Sequence, residues 1–586
     1  MLTRAAVIIV LGFIAYGFML PSPFRVMDDR ISIVENAAIK SVKNIPGIFR
    51  EGYFHDQSYY RPLINLSFMG EYRLFGLNSF FYNLDNLILH ILNALLVFLL
   101  VSRLTNSDTT GFWTGLLFVI HPVQWEAVCN VPGRAILLSA FFTLSSFLLF
   151  LEFYKNRRAF FGFLVLVVFS LGLLCKESAG VFPLVVMAYL SLDKTKCWPE
   201  KLKCLWPFVA GITGYLILRQ YLGITDVHRA GAPKLLILGF VTFLRSVITD
   251  LRLFVFPVDL HYDRCLTLIQ SLKQPQALAT CFFWGAALII FVRYYRKINP
   301  ILLFLLGWFF IELLPVSQLA AIILVGAGRV STAEHFLYLA CIPVLTGMVM
   351  AFRWAYELNA RKAFVNLLLL KFLAGGFLVF LLITAVEQSI YASNEFNMIN
   401  RSLAFEPNNP RLQGAMGILS VFRKDIPDAE KYFRAAIKAE PSNPAYHIAL
   451  GTALCQQGKW IEGLAHFVVF DPGKDKALVQ HEEDLTMAHI RQELSQGKNF
   501  DARGWLTIGI YYAKTNQENQ AIEAFLKSAS LNPGQVDAWF NLGSLYEGQK
   551  NWPAARMAYK KLLALNDLTV FQRDFGYKHL TAIEGR

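Results

Sequence analysis

Long apolar runs separated by short polar connections fill the chain from residue 5 to about residue 386. A helix that crosses a bilayer needs roughly 20 mostly apolar residues. Candidate spans are 5–21, 84–102, 111–121, 135–151, 159–175, 179–192, 205–218, 278–292, 300–314, 336–352 and 364–386, with loop residues completing the short ones. The stretch 235–257 is also long enough, but it carries Arg245, Asp250 and Arg252. Charges at the bilayer centre are costly, so this stretch is expected to be an interfacial or re-entrant helix pair. Residues 387–409, ending in Glu406-Pro407-Asn408, read as a connecting and capping helix.

The pattern then changes to a repeat of about 34 residues. Frames begin at Pro410, Pro444, Ala502 and Val536. In the third, Trp505, Ile508, Gly509, Tyr512, Ala521, Phe525 and Pro533 fall as large, apolar, small, aromatic, small, aromatic and proline. Trp539, Leu542, Gly543, Tyr546, Ala555 and Tyr559 repeat that order in the fourth. This is the tetratricopeptide pattern, a helical hairpin that stacks into a solenoid with a concave, peptide-binding groove. Its aromatic positions are expected in the core. A charge-rich insertion at about 478–501 separates the second and third frames, the repeats fill 410–569, and 570–586 reads as a tail. The expected fold is all-α: a polytopic membrane domain over 1–386 followed by an α-solenoid.

Composition agrees with this division. The chain is 55% hydrophobic with mean hydropathy +0.43, against about 45–50% apolar for a soluble domain. The formal charge of +13 suggests nucleic acid only until its placement is considered. Basic clusters at Lys155–Arg158, Lys194–Lys203, Arg293–Lys297 and Arg353–Lys362 sit between apolar runs, as cytoplasmic loops do, so no nucleic-acid partner is expected. Eight scattered cysteines without CxxC pairs indicate neither a zinc site nor a disulfide framework. Arg4 precedes an apolar run to Leu20, then Pro21-Ser-Pro23 without a small-residue cleavage site, so an uncleaved first membrane helix is expected. The absence of a retention signal favours a bacterial inner membrane with extracytoplasmic repeats; a eukaryotic chain would place them in the ER lumen.

With the basic loops inside, one face collects the other unusual polar residues. It receives Asp28-Asp29-Arg30, Tyr59-Tyr60-Arg61-Pro62, His121-Pro122 through Arg134, Lys176-Glu177, His261-Tyr262-Asp263 and Arg329 through Glu334-His335, with Glu312 near the same end. Paired carboxylates, histidines and cations at headgroup height suit a lipid phosphate carrying a sugar. Transfer to a serine or threonine hydroxyl needs a base, for which Asp28 or Asp29 is placed, and cations for the departing phosphate. Arg134, Lys176 and Arg329 are candidates for the cations, and His121 and Glu126 for orienting the acceptor or base. Asp28 and Asp29, with His261 and Asp263, are the sparse candidate ligands for a divalent metal. The bland alternative is a set of interfacial caps and salt bridges.

Some of these residues also form longer motifs: Asp28-Asp29 after the first helix, Tyr60-Arg61-Pro62-Leu63, and His121-Pro122-Val123-Gln124-Trp125-Glu126-Ala127-Val128 followed by Gly133-Arg134-Ala135 and Leu138-Ser139. Lys176-Glu177 and Ala333-Glu334 before Phe336-Leu337-Tyr338-Leu339 complete the set. With the repeats, these motifs make the chain resemble the transmembrane and tetratricopeptide-repeat O-mannosyltransferases and their prokaryotic relatives, within the GT-C glycosyltransferases. The resemblance implies a polyprenyl-phosphate sugar donor, with mannose as the sugar, an inverting transfer, and an acidic residue of the first loop as base. It adds Arg61, Glu177 and Glu334 to the acceptor and orienting residues. Where the family often has Glu-Arg, this chain has Glu334-His335. Histidine is only partly cationic near neutral pH, so His335 is a weakened phosphate ligand and Arg329 its candidate substitute. Two rivals remain: transfer to a lipid or glycan, and a non-catalytic membrane scaffold for envelope assembly that would tolerate substitution of Asp28 and Asp29.

Overall fold

A computed structural model describes residues 1–53, 59–224, 233–317, 328–362, 367–469 and 476–584. It forms two compact units, Met1–Pro407 and Asn408–Arg586.

Among the described residues of the first unit six helices are long and apolar enough to cross a membrane: Leu2–Met19, Ser79–Thr105, Val131–Asn156, Pro275–Lys297, Glu334–Asn359 and Leu367–Ala392. Ala159–Cys175, Glu177–Leu190 and Pro300–Val316 are shorter apolar helices. The expected spans 111–121 and 205–218 lie in the helices Asp108–Ile120 and Trp206–Tyr221. The span 364–386 starts in residues outside the described range. Turn chemistry sets one tight hairpin. Asn106 adopts a left-handed conformation (φ 49°) after Ser79–Thr105, and the Ser107 hydroxyl caps the next helix at Thr110 N (3.3 Å), the usual roles of these residue types. The first helix joins this bundle through a close approach. A Cβ on Gly12 would lie 2.6 Å from Ile91 Cγ1, and the Tyr16 hydroxyl donates to His121 O (2.7 Å).

Two expectations change. The stretch 235–257 is one continuous helix, Pro233–Val255, instead of a pair. Its Leu238 and Val241 pack with Ile269 and Ala277, while of its charged residues Arg252 is exposed and Asp250 is buried. The segment 387–409 is the end of Leu367–Ala392 plus a separate helix, Glu395–Phe405, and both belong to the first unit. The unit is all-α as expected, apart from one minimal sheet. Two short antiparallel strands, β1 (Cys265–Thr267) and β2 (Arg329–Ser331), pair Cys265 with Ser331 and Thr267 with Arg329.

The second unit shows why its sequence repeats. The repeat glycine of each hairpin's first helix faces the repeat aromatic of its second: Gly417 and Phe433, Gly451 and Phe467, Gly509 and Phe525, Gly543 and Tyr559. All four rings are buried. The charge-rich insertion is a helix, Lys476–Ser495, whose Met487 and Ile490 enter a core with Leu464, Ile508 and Tyr511. Residues read as a tail form the helix Val570–Glu584, with Phe575, Leu580 and Ile583 packed near Tyr559 and Leu562. Both segments are amphipathic and cover an otherwise bare apolar surface of the adjacent hairpin.

Candidate functional site

The acidic pair leaves the first helix through Pro21 and Pro23 and is followed by a π-helical turn, Arg30–Val34. Such turns recur at functional sites. The two carboxylates have different surroundings. Asp29 is buried: one oxygen accepts from Arg25 N (2.9 Å) and the other has no partner among the described residues. Burial pushes its pKa up to about 7, against the opposing Arg25 charge and hydrogen bond, with Asp28 and Glu395 adding to the rise. Asp28 is half-buried, and its carboxylate accepts one hydrogen bond, from the Tyr262 hydroxyl (2.6 Å). The loop beneath is held by the start of the Glu395–Phe405 helix. Glu395 accepts from Val26 N (2.8 Å) and Met27 N (3.3 Å), and the Arg25 guanidinium donates to Ala392 O (3.0 Å) and Cys129 O.

Further polar groups lie near the candidate cations. Tyr53 lies within electrostatic reach of Asp28, Asp29 and Arg61. Arg61 donates to Glu177 Oε2 through Nε and Nη2 (3.0 and 2.9 Å), and the other Glu177 oxygen accepts from Tyr60 N (3.1 Å). Glu126 holds His335 twice, at the backbone N and at Nδ1 (both 3.0 Å). Burial alone would raise the Glu126 pKa, but the charge and hydrogen bonds of His335 hold it below its ordinary value. The Lys176 ammonium lies within electrostatic reach of these pairs and makes no hydrogen bond or ion pair with any described residue. Burial, and then the Arg61 charge, push its ammonium down to about 7, against Glu177 and Glu126.

Several candidates are committed elsewhere. Arg134 is 1% exposed and not at a surface where a phosphate docks. It donates to Asn86 Oδ1 (2.6 Å), Ser67 Oγ (3.3 Å), Glu71 Oε1 (2.9 Å) and Tyr82 O (2.9 Å). It ties the helices Pro62–Phe75, Ser79–Thr105 and Arg134–Asn156 together. His121 is fully buried: Nδ1 accepts from Val123 N (3.2 Å), which leaves Nε2–H to donate to Phe254 O (3.1 Å). It caps a turn and has no nitrogen left to orient an acceptor. Glu334 is also fully buried, taking Trp125 Nε1 (2.6 Å) on one oxygen and His261 N (3.1 Å) and Arg264 (2.9 Å) on the other. It anchors protein groups and does not reach an acceptor directly. Arg329 on β2 is paired with Glu406. Of the four proposed phosphate ligands, Lys176 alone is uncommitted.

Tyr262, Glu395 and Tyr53 were not singled out by sequence. Tyr262 lies inside the noted run His261-Tyr262-Asp263, but a tyrosine between two titratable residues carries no signal of its own. Among the described residues no group of three or more His, Cys, Asp or Glu side chains could hold a metal ion. The Asp28 carboxylate faces Tyr262 and that of Asp29 is turned into the protein, so the pair does not form a shared cation cradle.

Known proteins supply the context. Residues 62–221 match the family model described as dolichyl-phosphate-mannose-protein mannosyltransferase, and residues 415–467 and 506–567 match the tetratricopeptide repeat model. The chain resembles the transmembrane and tetratricopeptide-repeat O-mannosyltransferases. It is 24% identical to the Mus musculus protein named Protein O-mannosyl-transferase TMTC3, over 89% of this chain and 63% of that one. The Homo sapiens TMTC3 protein is 23% identical over 92% of this chain and 66% of its own length. The Caenorhabditis elegans Protein O-mannosyl-transferase F38B6.6 is 26% identical over 74% and 62%. The chain thus spans a little under two thirds of these curated relatives. The mannosyltransferase match contains Arg61's neighbour Pro62, the His121–Ser139 block and Lys176-Glu177, but neither Asp28 nor Tyr262.

Proposed function

We propose that this protein is a membrane glycosyltransferase that moves mannose from a polyprenyl-phosphate donor to serine or threonine hydroxyls of proteins. The observation that carries the reading is a half-exposed carboxylate, Asp28, and an ammonium without an ion-pair partner among the described residues, Lys176, with Arg61 within electrostatic reach of Lys176 and Tyr53 within reach of both Asp28 and Arg61. The names of the relatives and the matched family model support the same reaction class. Asp28 takes the proton of the acceptor hydroxyl as its oxygen attacks the anomeric carbon from the face opposite the phosphate. The sugar–phosphate C–O bond breaks, the anomer inverts, and the polyprenyl phosphate leaves with its new charge facing Lys176. Arg61, fixed by Glu177, adds positive potential beside it. The repeats recruit the acceptor on the extracytoplasmic side, where Asp28 also lies.

The test is full-length protein in lipid nanodiscs with radiolabelled polyprenyl-phosphate mannose and a serine/threonine-rich peptide pool. Transfer is expected, and Asp28→Asn lowers it by roughly 10²–10⁴, the usual effect of losing a general base. Wild-type turnover in Asp28→Asn would remove Asp28 from the mechanism, and no transfer by wild type would end the reading. A cysteine replacing exposed His481 reads the side of the repeats with an impermeant thiol reagent; labelling only after permeabilisation would refute the extracytoplasmic placement.

A further inference from the structure

The Asp28 carboxylate is held at one oxygen only. Oδ2 accepts the Tyr262 hydroxyl at 2.6 Å, within the range of a charge-assisted O–H···O⁻ bond. No other described residue hydrogen-bonds to the carboxylate of half-buried Asp28, so Oδ1 has no partner among the described residues. A base needs one oxygen fixed and the other available, and Tyr262 supplies the fixing contact across 234 positions of sequence.

Tyr262 is itself immobilised. It is 6% exposed, and its backbone N donates to Ser402 Oγ (3.0 Å). The preceding amide, His261 N, donates to Glu334 Oε1 (3.1 Å), and Arg264 reaches the same oxygen through Nε and Nη2 (3.1 and 2.9 Å). His261 Nδ1 and Arg264 Nη2 both lie on Asp259 O (2.7 and 2.5 Å). Asp263 turns the chain in a left-handed conformation (φ 57°), one that aspartate tolerates better than most residues. These backbone and side-chain bonds fix the loop around Tyr262, whose phenol donates to Asp28.

We propose that Tyr262 is the positioning residue of Asp28, and that buried Glu334 acts on the reaction through it, by fixing the loop Asp259–Arg264. The inference rests on the glycosyltransferase reading and deepens it: Tyr262 touches the base and not the sugar or the acceptor. It also gives Glu334 a task that its burial allows.

The experiment uses the full chain in nanodiscs with radiolabelled polyprenyl-phosphate mannose, reading both mannose released to water and mannose transferred to the peptide pool. Tyr262→Phe keeps the ring and deletes one hydrogen bond to a charged group. It is expected to lower kcat about 10- to 100-fold, with donor KM changed less than about twofold and an unchanged melting temperature. In an Asp28→Asn background, Tyr262→Phe costs nothing further, because the bond it deletes serves the missing carboxylate. Ser402→Ala, which loosens the Tyr262 amide without touching Asp28, lowers kcat in the same direction by a smaller factor. Should Tyr262→Phe fold poorly, the Ser402→Ala result decides. Wild type that turns over while Tyr262→Phe and Ser402→Ala match its kcat overturns the positioning role alone. Wild type without release or transfer overturns the glycosyltransferase reading and this inference together.

Discussion

Arg134 separates a structural guanidinium from a phosphate ligand, and the two make opposite predictions. Its side chain is 1% exposed and that of Glu71 is 6% exposed, with Nη2 2.9 Å from the carboxylate. Arg134→Ala removes this pair, the bond to Asn86 (2.6 Å) and the bond to Tyr82 O (2.9 Å), and leaves Glu71 without its cation. Breaking a buried ion pair by deleting one partner costs about 3–5 kcal/mol. A melting temperature lower by roughly 4–6 °C follows for a unit of this size. The assay is thermal unfolding of purified protein in one fixed lipid or detergent, with donor KM measured on the surviving folded fraction. Replacing both partners with apolar residues of similar volume, Arg134→Met with Glu71→Leu, is expected to recover most of the loss, since the orphaned carboxylate is then gone. A wild-type melting temperature with a raised donor KM in Arg134→Ala would refute the reasoning and return Arg134 to the phosphate.

Lys176→Ala should raise the apparent donor KM about 10- to 100-fold, the worth of one hydrogen bond to a charged group, with little change in melting temperature. The free Lys176 ammonium titrates near 7, so donor kcat/KM should fall as pH rises through that value, and Lys176→Arg should abolish this limb; a limb that persists in Lys176→Arg would assign it to another group. Asp29 behaves oppositely in stability. Its folded pKa, about 7, lies above its ordinary 3.8, so the native state binds the proton more tightly than the unfolded chain. The stabilisation this gives is full below about pH 4 and is lost as pH rises to about 7, up to roughly 4 kcal/mol. Asp29→Asn should therefore melt higher than wild type at pH 8 and close to it at pH 4, as melting curves in one lipid across that range will read; an equal difference at both pH values would show that Asp29 does not titrate in this window. In the repeats, a Cβ at Gly509 would lie 2.5 Å from the Phe525 ring, so Gly509→Ala should lower the melting temperature by overpacking, about 1–3 kcal/mol before any helix-propensity gain. A neutral or stabilising result would mean the ring can move.

The periodic parts of this protein were legible in its sequence. Gly509 and Phe525 sit where the repeat requires them because one small residue and one ring must meet in every hairpin, and a local rule of that kind is written at fixed spacing. The apolar runs marked the long helices for a similar reason, since a bilayer imposes a length and a hydropathy on each segment separately. The amphipathic helices Lys476–Ser495 and Val570–Glu584 were hidden because their apolar faces match a neighbouring hairpin and not the repeat consensus.

The site was legible as a set of residues and not as a set of roles. Sequence placed Asp28, Asp29, Lys176, Arg134, His121 and Glu334 in one region, but whether a polar group is free depends on which donors and acceptors the fold brings to it. Arg134 meets Asn86 and Glu71, Glu334 meets Arg264 and Trp125, and His121 meets Phe254, all across distant stretches of chain. Their hydrogen-bonding capacity is consumed in folding, whereas no described residue pairs with Lys176. Sequence by itself determined that carboxylates and cations gather at the helix ends. Only the tertiary structure decided that Asp28 is held by Tyr262 while Asp29 is sealed inside, because burial and hydrogen-bond partnership are properties of contacts and not of residue type.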